Sequence, residues 1–400
     1  MSASRDAHDD PQIDPAAEPV DETVRQVPVG TDTAGDLPTE PVPPLSPAEA
    51  SRRIEQAMFE AKRILVGQDH MVERLFVGWL AGGHCLLEGP PGIAKTLAAE
   101  TVATIVGGTF SRIQFTPDLV PADLVGTRIF RASDERFDIE LGPVFANVVL
   151  ADEINRAPAK VQSALLEVMA ERHVTIGGIT HPVPQPFIVL ATQNPIEHEG
   201  VYPLPEAQRD RFLMKVVVGH PTGSQEAEIV RRMSVHPPTP RRVFDPAELG
   251  ALQEATSDVF VHDAVLDYAV RLVLATRSPA EHGLGDLDGM IAYGASPRAT
   301  LALVAAGRAL ALMRGRGYLL PQDVYDVSRD VLRHRILLSF DAIAEGVDAD
   351  EITERIVTTV LAPRVTPGQD GPVVVRTVDG PVTAPTNGSP SAPSERVTAS

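Results

Sequence analysis

The sequence has little cysteine, few aromatic residues and no long apolar run. Its one cysteine, Cys85, cannot form an intrachain disulfide and lies in an apolar run, which predicts a buried, unreactive thiol. Only 4% of the residues are aromatic although 43% are hydrophobic, which indicates an aliphatic core. No apolar stretch approaches the roughly 18 residues that a membrane-spanning helix needs, and the first ten residues resemble no leader peptide. We therefore expect a cytoplasmic protein without membrane insertion or a redox role.

The formal net charge is −19, but the acidic residues are unevenly distributed. Residues 1–48 hold ten acids and two bases, and residues 363–400 hold three of each, which leaves −11 on the part between them. An acidic core lacks the positive patch that nonspecific binding to a phosphate backbone requires. Nucleic acid is therefore an unfavoured main partner.

Both ends of the chain have the composition of disordered segments. Residues 1–45 are rich in Pro, Asp, Glu and Thr, and too poor in large apolar side chains to offset the entropy of ordering. Residues 366–400 are rich in Pro, Gly, Ser and Thr and are interpreted in the same way, with VVVRTV at 373–378 as a candidate additional strand. We predict an acidic disordered tail at one end and a second disordered tail at the other.

Between the tails, the first half of the chain has an α/β pattern. A helix is predicted to begin at Ser46, which is followed by Pro47 and by Glu49 in a capping-box arrangement. Five compact apolar runs then alternate with helical patterns: CLLEG, FSRIQF, NVVLADE, PFIVLATQNP and LMKVVVG. Runs of this kind are typical of a buried parallel sheet between two helical layers. Hairpins are predicted at 127–140 and at HVTIGGITHPV, which turns at Gly177 and Gly178.

From about residue 221 the pattern changes to helices alone. Asp245 and Ser296, each followed by proline, are predicted to begin two of these helices. The chain thus divides into an α/β core at 46–220 and an all-helical domain at 221–365.

The motif GPPGIAKT at 89–96 has the order of a phosphate-binding loop, because an apolar run precedes it and a helical pattern follows it. Backbone N–H groups of such a loop surround the β-phosphate, Lys95 neutralises β/γ-phosphate charge, and the Thr96 hydroxyl can bind Mg²⁺. Ala94 stands where glycine usually precedes the lysine. Helical dihedral angles there would cost little, whereas a positive φ would cost about 1 kcal/mol or more.

Two further runs end in polar residues that suit phosphoryl transfer. NVVLADE ends in Asp152 and Glu153, so one carboxylate can hold the Mg²⁺ shell while the other polarises the attacking water. The alternative is a strand end whose acids cap the next helix. ATQNP ends the fourth run at Asn194, whose amide can bridge the γ-phosphate and that water, although asparagine before proline is also a common turn residue.

The motifs GPPGIAKT, LADEINRAPAKVQSALLEVM, ATQNP, LPEAQRDRF and GASPRA occur in this order, and the sequence closely resembles the MoxR family of AAA+ ATPases over residues 50–362. The resemblance implies a three-layer α/β/α P-loop domain with a five-stranded parallel sheet, inserted hairpins and a helical lid domain. It also implies a hexameric homo-oligomer with nucleotide between subunits.

The resemblance also assigns roles by position, with Glu153, Asn194 as sensor 1, Arg211 as the arginine finger and Arg298 as sensor 2 in catalysis. Arg209 stands where the family usually has leucine, and remains the alternative to Arg211 as the finger. Thr96 and Asp152 would hold Mg²⁺. The implied ATP-binding residues, of which the first three lie near the adenine, are Val66, Gly67, Gln68, Gly89, Pro90, Pro91, Gly92, Ile93, Ala94, Lys95, Thr96 and Leu97.

The leading functional hypothesis is an ATP hydrolase that remodels, assembles or activates protein complexes, with protein clients and a von Willebrand factor A domain protein as partner. One alternative is a nucleotide-gated interaction scaffold with little turnover. A second alternative is an ATPase acting on nucleic acid, which the polar hairpin after Arg172 and the acidic core disfavour. His198 with Glu197 and Glu199 has no zinc-ligand spacing and is interpreted as a solvated loop.

Overall fold

The computed structural model describes residues 24–25, 45–133, 135–195, 200–234, 237–364, 376–377 and 380–381. Up to residue 217 the elements are β1 Val24–Arg25, α1 Pro47–Ile64, α2 Asp69–Leu80, β2 Cys85–Glu88, α3 Lys95–Ile105, β3 Phe110–Gln114, α4 Pro121–Val125, β4 Gly126–Arg131, β5 Arg136–Leu141, β6 Val148–Asp152, α5 Ala159–Glu171, β7 His173–Ile176, β8 Ile179–Pro182, β9 Ile188–Gln193, α6 Glu206–Arg209 and β10 Met214–Val217. Beyond it they are α7 Gly223–Met233, α8 Pro246–Ser257, α9 Asp263–Ala275, β11 Ile291–Tyr293, α10 Pro297–Met313, α11 Pro321–Leu332, β12 Leu337–Leu338, α12 Phe340–Ala344, α13 Ala349–Thr359, β13 Arg376–Thr377 and β14 Gly380–Pro381.

The five predicted apolar runs form the central parallel sheet, in the order β3-β6-β9-β2-β10. The two residues of β1 pair antiparallel with the outer edge of β3. Because strands alternate their side chains between two faces, Cys85 and Leu87 join one apolar cluster while Leu86 joins the other. Helix α3 packs in the first cluster and α5 in the second, so the prediction of a three-layer α/β/α domain with a five-stranded parallel sheet is confirmed.

Both predicted hairpins are present. Strands β4 and β5 pair antiparallel from Gly126 opposite Leu141, and β7 pairs with β8 across the turn at Gly177 and Gly178. These two glycines have φ of +58° and +84°, as a two-residue turn with both central residues left-handed requires. Cys85 is fully buried, and burial raises the pKa of its thiol to about 12, which agrees with the predicted unreactive thiol.

The described residues from 221 to 364 are mainly helical, and the two helix starts predicted there are confirmed. Asp245 and Ser296 each accept a hydrogen bond from a first-turn N–H, as Ser46 does at the start of α1. Among these helices the structure adds a short antiparallel ladder between β11 and β12. Two or three residues of pairing leave no periodicity in the sequence, which is why helices alone were predicted there.

The lid helices are not a separate hydrophobic unit. Buried residues of α8, α9, α10, α11 and α13 belong to the same apolar cluster as those of α1, α2 and α3. The predicted tails at 1–45 and 366–400, and the candidate strand at 373–378, lie almost entirely outside the described residues. Among the helices that the structure describes, none has both the length and the apolar character needed to cross a membrane.

Candidate functional site

The loop at 89–96 connects β2 to α3 at the carboxyl edge of the sheet. Gly89 is buried, and a Cβ there would lie 2.4 Å from the carbonyl oxygen of Val218, so only glycine fits without a shift of the backbone. Gly92 has a φ of +82°, which favours glycine for conformational reasons. The loop therefore passes close to the end of β10 and then leads into the first turn of α3, whose N–H groups follow it.

Ala94 adopts the costlier of its two alternative conformations, with φ +65° and ψ +26°. A left-handed alanine is disfavoured by about 1–2 kcal/mol. The next residue, Lys95, donates from Nζ to the carbonyl oxygen of Gly89 at 2.6 Å and to that of Gln193 at 3.1 Å. The ammonium group is thus held between the loop and the end of β9.

The residues predicted near the adenine lie beside the same edge. Gly67 has a φ of +77°, and a Cβ there would lie 2.6 Å from the side chain of Gln225 at the start of α7. Gln68 donates to the carbonyl oxygen of Gly219, just beyond β10, at 3.2 Å. The segment 66–68 therefore borders the chain that follows β10, which also borders the phosphate loop.

Asp152 is the last residue of β6. The strand β9 lies between β6 and β2, and β2 leads into the phosphate loop. Its Oδ1 accepts a 2.6 Å hydrogen bond from the hydroxyl of Thr192, and its Oδ2 accepts from Nη2 of Arg112 at 2.8 Å. The hydroxyl of Thr192 also accepts the backbone N–H of Glu153 at 2.9 Å. Thr192 lies on β9, between the acidic residues and the phosphate loop, and it orients both Asp152 and Glu153.

Glu153 has a left-handed backbone, with φ +55° and ψ +48°, a conformation that costs non-glycine residues free energy and recurs at functional sites. Its carboxylate accepts from Nε2 of Gln114 at 2.7 Å and lies 3.0 Å from Nε of Arg156. The side chain caps no helix N-terminus. The helix-cap alternative for this acidic pair therefore does not apply to Glu153.

Asn194 follows β9 directly and is buried, next to Gln193, which contacts Lys95. The structure thus brings together four of the predicted groups at one sheet edge: the loop, the acidic pair, Asn194 and the segment 66–68. Hydroxyl and carboxylate oxygens such as those of Thr96 and Asp152 are the donors that Mg²⁺ prefers, so the residues present fit this metal. Residues 196–199, with His198, lie outside the described part of the chain.

The predicted arginines lie elsewhere. Arg211 precedes β10, whose Met214 pairs with Cys85 and whose Val217 pairs with Glu88, so it lies at the amino edge of the sheet while the loop lies at the carboxyl edge. Its exposed guanidinium donates to the carbonyl oxygen of Leu166 at 2.6 Å. The four residues of β10 lie between Arg211 and the loop, and at about 3.3 Å per residue they separate the two by at least about 10 Å.

Arg298 lies with Arg211 and not with the phosphate loop. Its Nη1 is 3.6 Å from Oδ2 of Asp210, the residue before Arg211. Arg209, in the same segment, is less exposed than Arg211, and its nearest carboxylate is Glu206 at 3.7 Å. The sequence motifs did not identify Arg112, Gln114 or Thr192, since nothing local in the sequence shows which strands are neighbours.

A phosphate loop and an acidic strand end flanking a polar strand, on a five-stranded parallel sheet with a helical lid, define an ATPase of the AAA+ class. Residues 84–214 match the family model for ATPases associated with various cellular activities, and residues 287–356 match the AAA lid domain. The chain is 61% identical to Chaperone MoxR1 of Mycobacterium tuberculosis over 312 residues, which is 78% of this chain and 83% of that protein. It belongs to the MoxR family of AAA+ ATPases, and it is an ATP hydrolase.

Two further comparisons agree with this assignment. The uncharacterized protein YeaC of Bacillus subtilis is 39% identical over 310 residues, covering 77% of this chain and 94% of that protein. The crystal structure of a candidate ATPase from Cytophaga hutchinsonii superposes with a TM-score of 0.75 at 44% identity, over 79% of this chain and 96% of that one. The resemblance found in the sequence motifs is confirmed at the level of family and fold.

Proposed function

We propose that this chain is a ring-forming ATPase that hydrolyses ATP, with Mg²⁺, to remodel, assemble or activate protein complexes. The observation that carries the proposal is the separation of the site residues into two groups at opposite edges of the sheet. In this chain the length of β10 lies between its own phosphate loop and the two arginines, Arg211 and Arg298. A head-to-tail neighbour can present its arginines to that loop, and head-to-tail contacts form a ring where the rotation between chains closes.

In this proposal each chain contributes one half of two sites. Its carboxyl edge binds ATP: the loop from Gly89 to Leu97 and the segment 66–68 hold the nucleotide, and Lys95 neutralises phosphate charge. Thr96 and Asp152 would hold Mg²⁺, which neutralises charge on the β- and γ-phosphates during transfer. Glu153 polarises the attacking water, and Asn194 orients it against the γ-phosphate.

The amino edge completes the neighbour's site. Arg211 serves as the arginine finger, supported by its exposure, which exceeds that of Arg209. Arg298 acts in trans on the same nucleotide, because its guanidinium lies beside Asp210. Cationic groups placed at the γ-phosphate stabilise the charge of the transition state by several kcal/mol.

The further parts of the proposal are supported by membership of the MoxR family and by the name of the Mycobacterium tuberculosis relative, Chaperone MoxR1. They are a hexameric stoichiometry, protein clients, a von Willebrand factor A domain partner and a cytoplasmic location. They also include a functional division into a core at 46–220 and a lid at 221–365, with the lid resting on α1 and α2.

A mixing experiment tests the two-chain site. Lys95→Ala removes the phosphate contact and Arg211→Ala removes the finger, so each protein alone should lack turnover. In an equimolar mixture, about a quarter of head-to-tail contacts pair an intact loop with an intact finger, so about a quarter of wild-type turnover should return.

If wild-type protein shows no turnover under conditions where it assembles, a nucleotide-gated scaffold is the better description. If single-stranded DNA stimulates turnover, the nucleic-acid alternative gains instead.

A further inference from the structure

Arg335 lies in the lid, between α11 and β12, and its side chain is only 2% exposed. A buried guanidinium must find acceptors for its five N–H groups, because an unpaired buried charge is very unfavourable. Burial lowers the pKa of Arg335 to about 10, and the carboxylate of Asp210 opposes that shift. The group remains charged at neutral pH and depends on its partners.

Most of these partners belong to one short segment of the core, residues 210–213. Nη2 donates to the carbonyl oxygens of Phe212 at 2.6 Å and Asp210 at 3.3 Å, and Nη1 donates to that of Leu213 at 3.1 Å. Nε donates to Oδ1 of Asp210 at 2.9 Å. The neighbouring His334 adds a contact of 3.2 Å between Nε2 and the carbonyl oxygen of Phe212. One lid guanidinium therefore fixes the backbone on both sides of Arg211.

Asp210 extends the same network to the start of α10. Its Oδ2 accepts from the hydroxyl of Ser296 at 2.8 Å and lies 3.6 Å from Nη1 of Arg298. The hydroxyl of Ser296 also caps α10 by accepting the backbone N–H of Arg298. Arg211 and Arg298 are therefore tied to one buried pair, Asp210 with Arg335.

We propose that Arg335 is a positioning residue for ATP hydrolysis: it holds Arg211 and Arg298 as one rigid unit, so that both arginines meet the neighbouring chain's nucleotide in a fixed geometry. This inference rests on the two-chain site proposed above. It assigns Arg335 no contact with ATP. Its effect is geometric, since a shift of about 1 Å in a charge-stabilising group can lower turnover about 100-fold.

The geometry needs arginine at this position. The planar fork reaches carbonyl oxygens on both sides of residue 211 and a carboxylate at the same time, whereas a lysine ammonium is a compact point charge on a flexible stem. Arg335→Lys should therefore fail to restore turnover. A role that required only positive charge in the lid would be rescued by it.

The test uses full-length Arg335→Gln. ATP binding to its own phosphate loop, measured with a fluorescent ATP analogue, should stay within about twofold of wild type, while kcat should fall about 100-fold. Mixing it with Lys95→Ala should restore about a quarter of wild-type turnover, since the Lys95→Ala chain supplies an intact finger. A merely unfolded Arg335→Gln chain could not supply a working loop and would restore nothing.

Arg74→Gln is the matched control. Arg74 is also buried and donates from Nε to Asp330 at 2.6 Å, but it contacts no residue of 210–213. It should lower the unfolding midpoint as Arg335→Gln does while leaving kcat within about twofold of wild type. Equal losses of kcat in both variants would overturn the positioning role.

Asp210→Asn provides a second variant if Arg335→Gln does not fold. It keeps the size of the side chain but removes its charge, so kcat should fall about tenfold, with recovery on mixing with Lys95→Ala. The two proposals fail separately. If Arg211→Ala with Lys95→Ala restores turnover but neither Arg335→Gln nor Asp210→Asn does, the positioning role is wrong and the two-chain site stands. If no mixture restores turnover, the two-chain site itself is wrong.

Discussion

Arg112 donates two hydrogen bonds to the same oxygen of Asp152, from Nη2 at 2.8 Å and from Nε at 3.3 Å. The same guanidinium reaches Oε1 of Gln114 at 3.3 Å, and Gln114 donates in turn to Glu153 at 2.7 Å. Residues two apart on a strand share a face, so Arg112 and Gln114 of β3 hold both carboxylates of the neighbouring strand end. The proposed metal ligand and the proposed water activator are thus joined in one hydrogen-bonded chain.

Arg112→Gln should lower the Mg²⁺ concentration needed for ATP binding. The guanidinium competes for an oxygen of Asp152, and its charge repels a cation bound there. Removing one positive charge from a partly exposed site should strengthen Mg²⁺ binding by about 1 kcal/mol, or about fivefold. A magnesium titration of fluorescent ATP-analogue binding measures this shift. Arg131→Gln, which breaks an exposed pair with Asp138 on the β4–β5 hairpin, is the control and should leave the titration unchanged.

An unchanged or increased Mg²⁺ requirement in Arg112→Gln would show that Arg112 orients Asp152 for the metal and does not compete with it. Turnover alone could not distinguish these cases, because either role changes kcat.

Glu153→Gln should retain ATP binding and lose turnover. The amide keeps the size of the side chain and can still bond Gln114, but it cannot accept a proton from water, so the rate should fall about 100-fold to 10,000-fold. Turnover and nucleotide binding are measured on the same preparation. Normal turnover would exclude Glu153 as the general base, whereas loss of binding would place it among the nucleotide-holding groups.

The sequence made the acidic pair predictable but not its partners. Asp152 and Glu153 follow an unbroken apolar run, and a buried strand that ends in acids is visible in a few consecutive residues. Arg112 becomes their neighbour only through the register that sets Gln114 opposite Asp152. That pairing joins residues about 40 positions apart, and no local periodicity encodes it.

The sheet was more predictable than the contacts between the lid and the core. Five apolar runs predicted the sheet and two turn segments predicted the hairpins, because buried parallel strands and tight turns have strong compositional signals. The Asp210–Arg335 pair had no such signal, since Arg335 looks like any charged residue at a helix end until the lid is folded onto the core.

Ala94→Gly should stabilise the folded chain by about 0.5–1 kcal/mol. Glycine adopts the observed φ of +65° without the steric conflict that a methyl group meets, although it also gains entropy in the unfolded chain. Denaturant unfolding monitored by circular dichroism measures the change. Gly92→Ala is the converse variant, because its φ is +82° and no atom crowds its Cβ position, and it should destabilise by about 1 kcal/mol. A destabilised Ala94→Gly would show that packing of the alanine methyl outweighs the strain.

Buried His84 should make the fold sensitive to mild acid. Its Nδ1 accepts the backbone N–H of Val189 at 2.9 Å, its Nε2 lies 3.2 Å from the carbonyl oxygen of Met169, and burial lowers its pKa from 6.5 to about 4. The folded chain favours the neutral ring, so this contribution is complete above about pH 6.5 and is lost as the pH falls towards 4. Between about pH 8 and pH 5 the loss is about 2 kcal/mol.

His84→Gln, which does not titrate, should flatten the pH dependence of unfolding free energy by that amount. His220→Gln is the control, since His220 is exposed, and its profile should match wild type. Other titrating groups contribute equally to both profiles, so the comparison isolates His84. Parallel profiles for all three proteins would mean that burial does not lower the pKa of His84 in the folded chain.

Gly89→Ala and Gly219→Ala form a matched pair at the phosphate loop. A Cβ on Gly89 would lie 2.4 Å from the carbonyl oxygen of Val218 and 2.5 Å from Cδ1 of Ile93, whereas a Cβ on Gly219 would meet nothing within 4 Å. Since a backbone carbonyl cannot move without displacing the end of β10, the loop itself must shift in Gly89→Ala. Its N–H groups then no longer converge on the phosphates, and ATP affinity should fall at least tenfold, equivalent to about 1.4 kcal/mol. Gly219→Ala should bind ATP like wild type, and equal affinities in the two variants would show that the loop tolerates the shift and that glycine is not required at position 89.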